Sequence, residues 1–199
     1  MDRKQGWRTQ YSKMQRASDS DLPALTMCRA RRYLNKFPQK GPAWLLLGIA
    51  LLEMARYDEA EQAILKAIER CPPENLWIPY VRMGDLFKFA GDYEQAAEWY
   101  RKTIERFPQD ASGYTYLGGV LARQGRLREA EEVHREGTRC IEGCLDEAFL
   151  NLGLVLRAQE RFEEAAECFR EAIQQDPEYR AAKKALRDVV ACLKEARDT

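Results

Sequence analysis

The chain has 199 residues, 45 % of them hydrophobic, enough for one sizeable core or a small pair of domains. Its 32 Lys+Arg balance 32 Asp+Glu, which excludes a protein whose whole surface binds nucleic acid. The balance is not uniform: residues 1–40 hold ten basic residues against three acidic ones, and residues 41–199 hold 22 against 29.

The first forty residues are charged throughout and lack the apolar stretch of a secretory signal. Arg3, Lys4, Arg8, Lys13 and Arg16 interleave with Trp7, Tyr11 and Met14, whose weak 3–4 spacing sketches a first helix. A second helix is predicted over about 21–36, with Asp21 as its cap, Pro23 in its first turn and Pro38 closing it. It carries Arg29, Arg31 and Arg32. This basic N-terminal patch has two readings. It is a surface for phosphate, RNA or an anionic membrane, or a solvated, degenerate half-repeat whose aromatics pack on the next helix. Basic charge alone reads no nucleotide sequence, which favours the second.

From residue 41 the chain repeats itself. RYDEAEQAILKAIERCPP at 56–73 returns as GDYEQAAEWYRKTIERFPQD from Gly91, GRLREAEEVHREGTRCIEGC from Gly125 and RFEEAAECFREAIQQDPEY from Arg161. Gly48, Gly84, Gly118 and Gly153 stand 36, 34 and 35 residues apart, and Ala60, Ala96, Ala130 and Ala165 keep the same intervals. Such a period with two helical phrases per unit predicts an all-α, helix-turn-helix solenoid. Four units are expected, at 41–74, 75–110, 111–144 and 145–177. In each, an aromatic (Trp44, Tyr80, Tyr114, Phe149) and large apolar residues flank the glycine at spacings of 3, 4 and 7, on one helical face. Glycine inside a helix costs roughly 1 kcal/mol against alanine. Four of them at a fixed interval predict close helix–helix approach. Acidic residues open the second helices, as the helix dipole favours, and Pro72, Pro108 and Pro177 close three units. The apolar run at 43–55 is too short to span a bilayer. Residues 178–199 read as an amphipathic capping helix, wet on its outer face.

The aromatic, Leu, Gly, large apolar, Ala, aromatic, Ala and Pro slots resemble the tetratricopeptide repeat family from residue 41 to about 177. The third unit departs most. His134 replaces the apolar residue, Gly137 the alanine, and no proline closes it, so Gly143 is expected to supply the stop. The resemblance implies a right-handed superhelical solenoid whose first helices line a concave groove holding a peptide or partner helix. The groove positions it implies are Leu45, Ile49, Leu52, Val81, Arg82, Asp85, Lys88, Phe89, Tyr116, Arg123, Asn151, Leu154 and Arg157. That lining suits a protein segment with apolar anchors and acidic groups. The Leu45 end is alternatively covered by the N-terminal segment, since large exposed apolar patches are unusual, and the cations are alternatively paired with neighbours such as Asp85. Leu46 and Ile49 stand where the chaperone-binding members need polar clamp residues, so binding of chaperone tails is disfavoured.

No catalytic constellation appears. A single histidine removes HExxH zinc sites and most multi-histidine metal centres. No phosphate-binding loop, nucleophile elbow or dinucleotide fingerprint is present. His134, Cys140 and Cys144 do not share a helical face, and a metal site needs more ligands. The six cysteines are too sparse for a disulfide scaffold and, without an export signal, read as reduced thiols in the cytoplasm. The expectation is a non-enzymatic interaction scaffold with no cofactor or metal. A nucleic-acid- or ribosome-associated protein is the alternative, and self-association through the first unit or the last helix a third reading.

Overall fold

A computed structural model describes the backbone of residues 3–196 and the side chains of residues 10–196. Within these residues the chain forms eleven α-helices, a 3₁₀ turn at Pro73–Asn75 and no strand. They divide into two compact units, which meet in sequence between Asp92 and Tyr93. The first holds α1 (Arg3–Asp19), α2 (Pro23–Leu34), α3 (Gly41–Glu53), α4 (Tyr57–Arg70) and α5 (Trp77–Ala90). The second holds α6 (Tyr93–Arg106), α7 (Ala111–Arg123), α8 (Leu127–Gly137), α9 (Leu145–Ala158), α10 (Phe162–Gln175) and α11 (Arg180–Glu195). In both, each helix packs on the next in sequence, and alternate helices touch as well: α1 with α3, α3 with α5, α7 with α9, α9 with α11.

The repeating glycines do what their spacing predicts. A Cβ on Gly48 would lie 2.5 Å from Ile64 Cγ1, and one on Gly153 would lie 2.5 Å from the Phe169 ring. The absent side chain is the space the second helix fills with a large residue. Ile64, Tyr100, His134 and Phe169 are all buried, as are Ala60, Ala96, Ala130 and Ala165 at 0 % exposure. Burying a side chain such as Phe169 contributes roughly 2–3 kcal/mol.

The turns within the pairs are alike. A residue with positive φ sits at Asp21, Ala55, Gly91, Gly125 and Glu160. Around each runs the same pair of backbone bonds, as in Arg56 N–H to Leu51 C=O and Ala55 N–H to Leu52 C=O. This is the Schellman termination, which satisfies the last carbonyls of the first helix. Only two of the five are glycine. Asp21 therefore serves as a turn residue, and α2 starts at Pro23 without the side-chain cap expected from Asp21. A non-glycine residue in this conformation costs about 1 kcal/mol, so Ala55→Gly is expected to stabilise by up to about 1 kcal/mol. A urea titration of the variant beside wild type measures it, and Gly91→Ala should move the opposite way.

Arginine and glutamate occupy the starts of several second helices where Ser or Thr caps are common. Arg56 pairs with Glu59, Arg126 Nη2 with Glu129 Oε2 at 2.5 Å, and Arg161 Nη2 with Glu164 Oε2 at 2.5 Å. Glu131, 8 % exposed at its side chain, accepts from Arg135, Arg161 and Gln159 and ties α8 to the start of α10. Carbonyls beside the closing prolines anchor the next aromatic. Trp44 Nε1–H donates to Pro38 C=O at 2.7 Å, and the Tyr114 hydroxyl to Pro108 C=O at 3.2 Å.

In the N-terminal segment α1 packs on α2, with Met14 and Ala17 buried, and the pair shares the turn chemistry of the others. In the third unit, helix α8 ends at Gly137, earlier than Gly143. The link that follows lies against the α6–α7 turn, with Ile141 and Glu142 N–H on Gln109 C=O and Ala111 N–H on Glu142 C=O. Gly143, at φ 85°, lets the chain leave this contact, because a Cβ there would meet Asp110 Oδ1 at 2.6 Å. Helix α11 buries Ala182, Ala185 and Val189 and leaves Arg180, Lys184, Arg187 and Asp188 exposed.

Candidate functional site

In the first unit, α3 and α5 supply the groove positions. Leu45, Leu52, Val81 and Asp85 are buried, Ile49, Arg82 and Lys88 half-buried, and Phe89 is 62 % exposed. Burial at Leu45 accompanies the packing of α1 on α3, so the open part of this surface lies toward the C-terminal ends of α3 and α5. There Ile49, Leu52, Glu53, Ala55, Tyr57, Arg82 and Phe89 line a cleft of about 380 Å³. Tyr57 O–H donates to Phe89 C=O at 3.3 Å and fixes the end of α5 beside the α3–α4 turn. Tyr57 and Ala55 were not legible as lining residues, because the turn that brings them there follows from helix packing.

The charges of this cleft are arranged from within. Asp85 accepts from Arg82 Nη1 at 2.8 Å and from Lys88 Nζ at 2.5 Å, so both cations already hold a carboxylate. Lys88 Nζ also lies 5.1 Å from the Phe89 ring centre. The Glu53 carboxyl is held above its usual range, chiefly by burial against the apolar wall, with Asp21 adding to the effect and Arg82 opposing it.

In the second unit, Tyr116 stacks on Tyr100 with ring centres 5.5 Å apart. Asn151 and Leu154 are half-buried on α9. Arg157 Nη1 reaches Asp188 on α11 at 2.9 Å. Arg123, in the last turn of α7, is exposed and forms no ion pair among the described residues. Arg123 is thus the groove cation with its charge uncommitted.

The basic patch is sorted by the fold. Lys13, Arg29 and Arg32 line one cleft between α1 and α2. Arg16 Nε–H turns back to Ser12 C=O on its own helix, and Arg31 Nη2 crosses to Glu59 at 2.7 Å. The side chains of Arg3, Lys4 and Arg8 lie outside the described residues, as does that of Trp7.

Of the groups considered for chemistry, His134 and Cys140 are buried and Cys144 is exposed. His134 is 1 % exposed, its ring lies against Gly118, and its Nδ1 has no partner. Burial drives its pKa down to about 4. The Cys140 thiol contacts Pro108 and Glu136 carbonyls, and burial pushes both the Cys140 and Cys144 thiols up, away from the reactive thiolate. All six cysteines are free. Among the described residues no group of three or more His, Cys, Asp or Glu is placed to hold a metal ion. No helix among them is long and apolar enough to cross a membrane.

Comparison with known proteins agrees with this geometry. Models of the tetratricopeptide repeat match residues 39–109, 81–139 and 146–179. The human protein O-mannosyl-transferase TMTC2 is 31 % identical over 133 residues, covering 60 % of this chain and 16 % of its own length. The chain thus spans less than a fifth of that relative. Among solved structures, TTC0263, a thermophilic tetratricopeptide repeat protein of Thermus thermophilus, superposes with a TM-score of 0.66 at 17 % identity, covering 93 % of this chain and 99 % of that one. YrrB, a repeat protein described as having an unusual peptide-binding site, superposes with a TM-score of 0.58 at 20 % identity, covering 87 % and 88 %. At these identities the superpositions establish the fold alone.

Proposed function

The chain belongs to the tetratricopeptide repeat family, and from that premise we propose that it is a non-catalytic interaction module that takes a segment of another protein along the first helices of its pairs. The observation that carries the proposal is Phe89. A large aromatic, 62 % exposed, stands on a packed helix beside Ile49, Leu52 and Tyr57, at the mouth of a preformed cleft. Rigid exposed aromatics of this kind are the anchors on which interfaces concentrate their binding energy. In the first unit Asp85 engages Arg82 and Lys88; in the second, the exposed Arg123 is available to an acidic group. Helix α11 packs its apolar side on α9 and α10 and leaves its charged side exposed. The six free thiols suit a cytosolic setting.

The test takes one residue from each unit. Phe89→Ala is expected to weaken capture of the partner from native extract at least tenfold, in line with loss of a buried aromatic anchor. Arg123→Glu should weaken it with a marked dependence on salt. Both variants should keep the helicity of wild type. Undiminished recovery by both variants would count against this surface. Arg157→Glu is a poorer probe because it also breaks the ion pair to Asp188 on α11.

A further inference from the structure

The structure assigns a phosphate-type oxyanion site to the cleft between α1 and α2, formed by Lys13, Arg29 and Arg32. The cleft has a volume of about 220 Å³, and its described lining is Gln10, Lys13, Arg29, Arg32 and Tyr33. Lys13 comes from α1. Arg29 and Arg32, three residues apart on α2, share the face turned toward it. Three cationic side chains therefore line one small cleft, and no carboxylate is among the described residues that line it.

Arg31, Arg56, Arg82, Arg126, Arg135, Arg157 and Arg161 each hold a carboxylate. Lys13, Arg29 and Arg32 form no ion pair among the described residues. Like charges this close repel, and the repulsion is relieved by a bound anion. Arg29 is also fixed in position. Its Nη1–H donates to Lys13 C=O at 2.7 Å, bridging the two helices and leaving its remaining N–H donors available. Tyr33, 2 % exposed, closes the floor with a ring packed 5.9 Å from Tyr11. An apolar floor strengthens the field felt by an ion above it.

The donors define the ligand. Two guanidinium forks and one ammonium match a compact oxyanion with several acceptors, above all a phosphate dianion. A cleft of this size holds one such group. A nucleic-acid backbone needs a track of cations, and Arg16 and Arg31, which would extend one, are turned to Ser12 and Glu59. The site is independent of the groove and stands or falls separately from the interaction reading above.

Amide chemical shifts of the full chain, followed during titration with inorganic phosphate at pH 7.5, test the site. Sodium chloride at matched ionic strength is the reference. Saturating shifts confined to the cleft, near residues 10–13 and 29–33, are expected with phosphate alone. The Arg29→Gln/Arg32→Gln variant should weaken binding at least tenfold, and Arg31→Gln should leave it within twofold. If the double variant loses helicity by circular dichroism, Arg32→Gln alone, exposed on α2, supplies the measurement. A phosphoserine peptide distinguishes the source. Tighter binding than inorganic phosphate in the same cleft marks a phosphate carried on a protein, and equal binding marks the free ion. Shifts that chloride reproduces, or that survive the double variant, overturn the site. So does single-stranded RNA that binds more tightly than phosphate and releases more than three counterions.

Discussion

Replacing His134 with phenylalanine is expected to stabilise the chain by about 1 kcal/mol at pH 7, and by a further 2–3 kcal/mol relative to wild type at pH 4.5. His134 occupies the slot filled by Ile64, Tyr100 and Phe169 in the other pairs, and it is as deeply buried as they are. A Cβ on Gly118 would sit 2.5 Å from its ring, just as one on Gly153 would sit 2.5 Å from the Phe169 ring. A phenyl ring therefore has its space prepared. It also removes Nδ1, a buried polar atom without a partner, whose desolvation costs on the order of 1–3 kcal/mol. The pH term follows from the pKa of about 4 in the folded chain against about 6.5 when unfolded. Between these values the unfolded chain takes up a proton that the folded chain refuses. The contribution of neutral His134 is complete above about pH 6.5, is lost as pH falls, and is gone near pH 4. Urea titrations of both proteins at pH 7 and pH 4.5 measure the difference. Equal acid losses in the two proteins would show that His134 does not stay neutral in the folded state.

Gly41→Ala should be the most damaging of the small glycine substitutions, at about 2–3 kcal/mol. A Cβ at Gly41 would meet Arg70 C and O and Cys71 N, all at 2.5 Å. These are main-chain atoms at the end of α4, and they cannot swing aside as a side chain does. At Gly48 the closest obstacle is Ile64 Cγ1, and at Gly153 the edge of the Phe169 ring; these are side-chain atoms, which give way at less cost than main chain. Gly41 is also the first residue of α3, where alanine returns little of its helical advantage. Gly119 is the control. A Cβ there meets nothing within 4 Å, and Gly119→Ala should be neutral or stabilising by up to about 1 kcal/mol. Thermal unfolding of the Gly41→Ala and Gly119→Ala variants beside wild type gives the order. A Gly41→Ala protein as stable as the Gly119→Ala protein would contradict the close approach of α3 to the end of α4.

These two cases mark how far local pattern reaches. The interval of Gly48, Gly84, Gly118 and Gly153 was legible because a mid-helix glycine is costly and its recurrence needs a reason. Gly41 carries no such signal, since glycine at a helix start is ordinary. The five left-handed turn residues keep the same interval, yet Asp21, Ala55 and Glu160 are unremarkable in sequence. Only the backbone bonds around them reveal the shared turn. In the first pair the volumes are exchanged. Met14 stands where later pairs have glycine, and Ala30 where they have Ile64, Tyr100, His134 or Phe169. The sum of volumes is conserved while the pattern is not, so the pair reads as a half-repeat although its turn matches the others.

The candidate surfaces were legible as addresses, not as states. Arg82 and Lys88 each stand three residues from Asp85 in sequence, whereas Arg123 and Arg157 look alike there. The fold gives Asp85 to the first two and Asp188 to the last, and leaves Arg123 uncommitted. Likewise the N-terminal basic residues form one cluster in sequence, and helix phase divides them among a cleft, a helix backbone and a glutamate.

By itself the sequence determined the helical class, the repeat period, the phase of the buried faces and the absence of a recognisable catalytic motif. All of these follow from residue size and spacing along one chain. The tertiary structure decided which glycine faces a main chain, which cations are already paired, and where an aromatic stays in water. Gly41 against Arg70, Arg31 with Glu59 and Arg157 with Asp188 are contacts between residues about thirty positions apart, and side-chain charge or volume decides them only once the helices have docked.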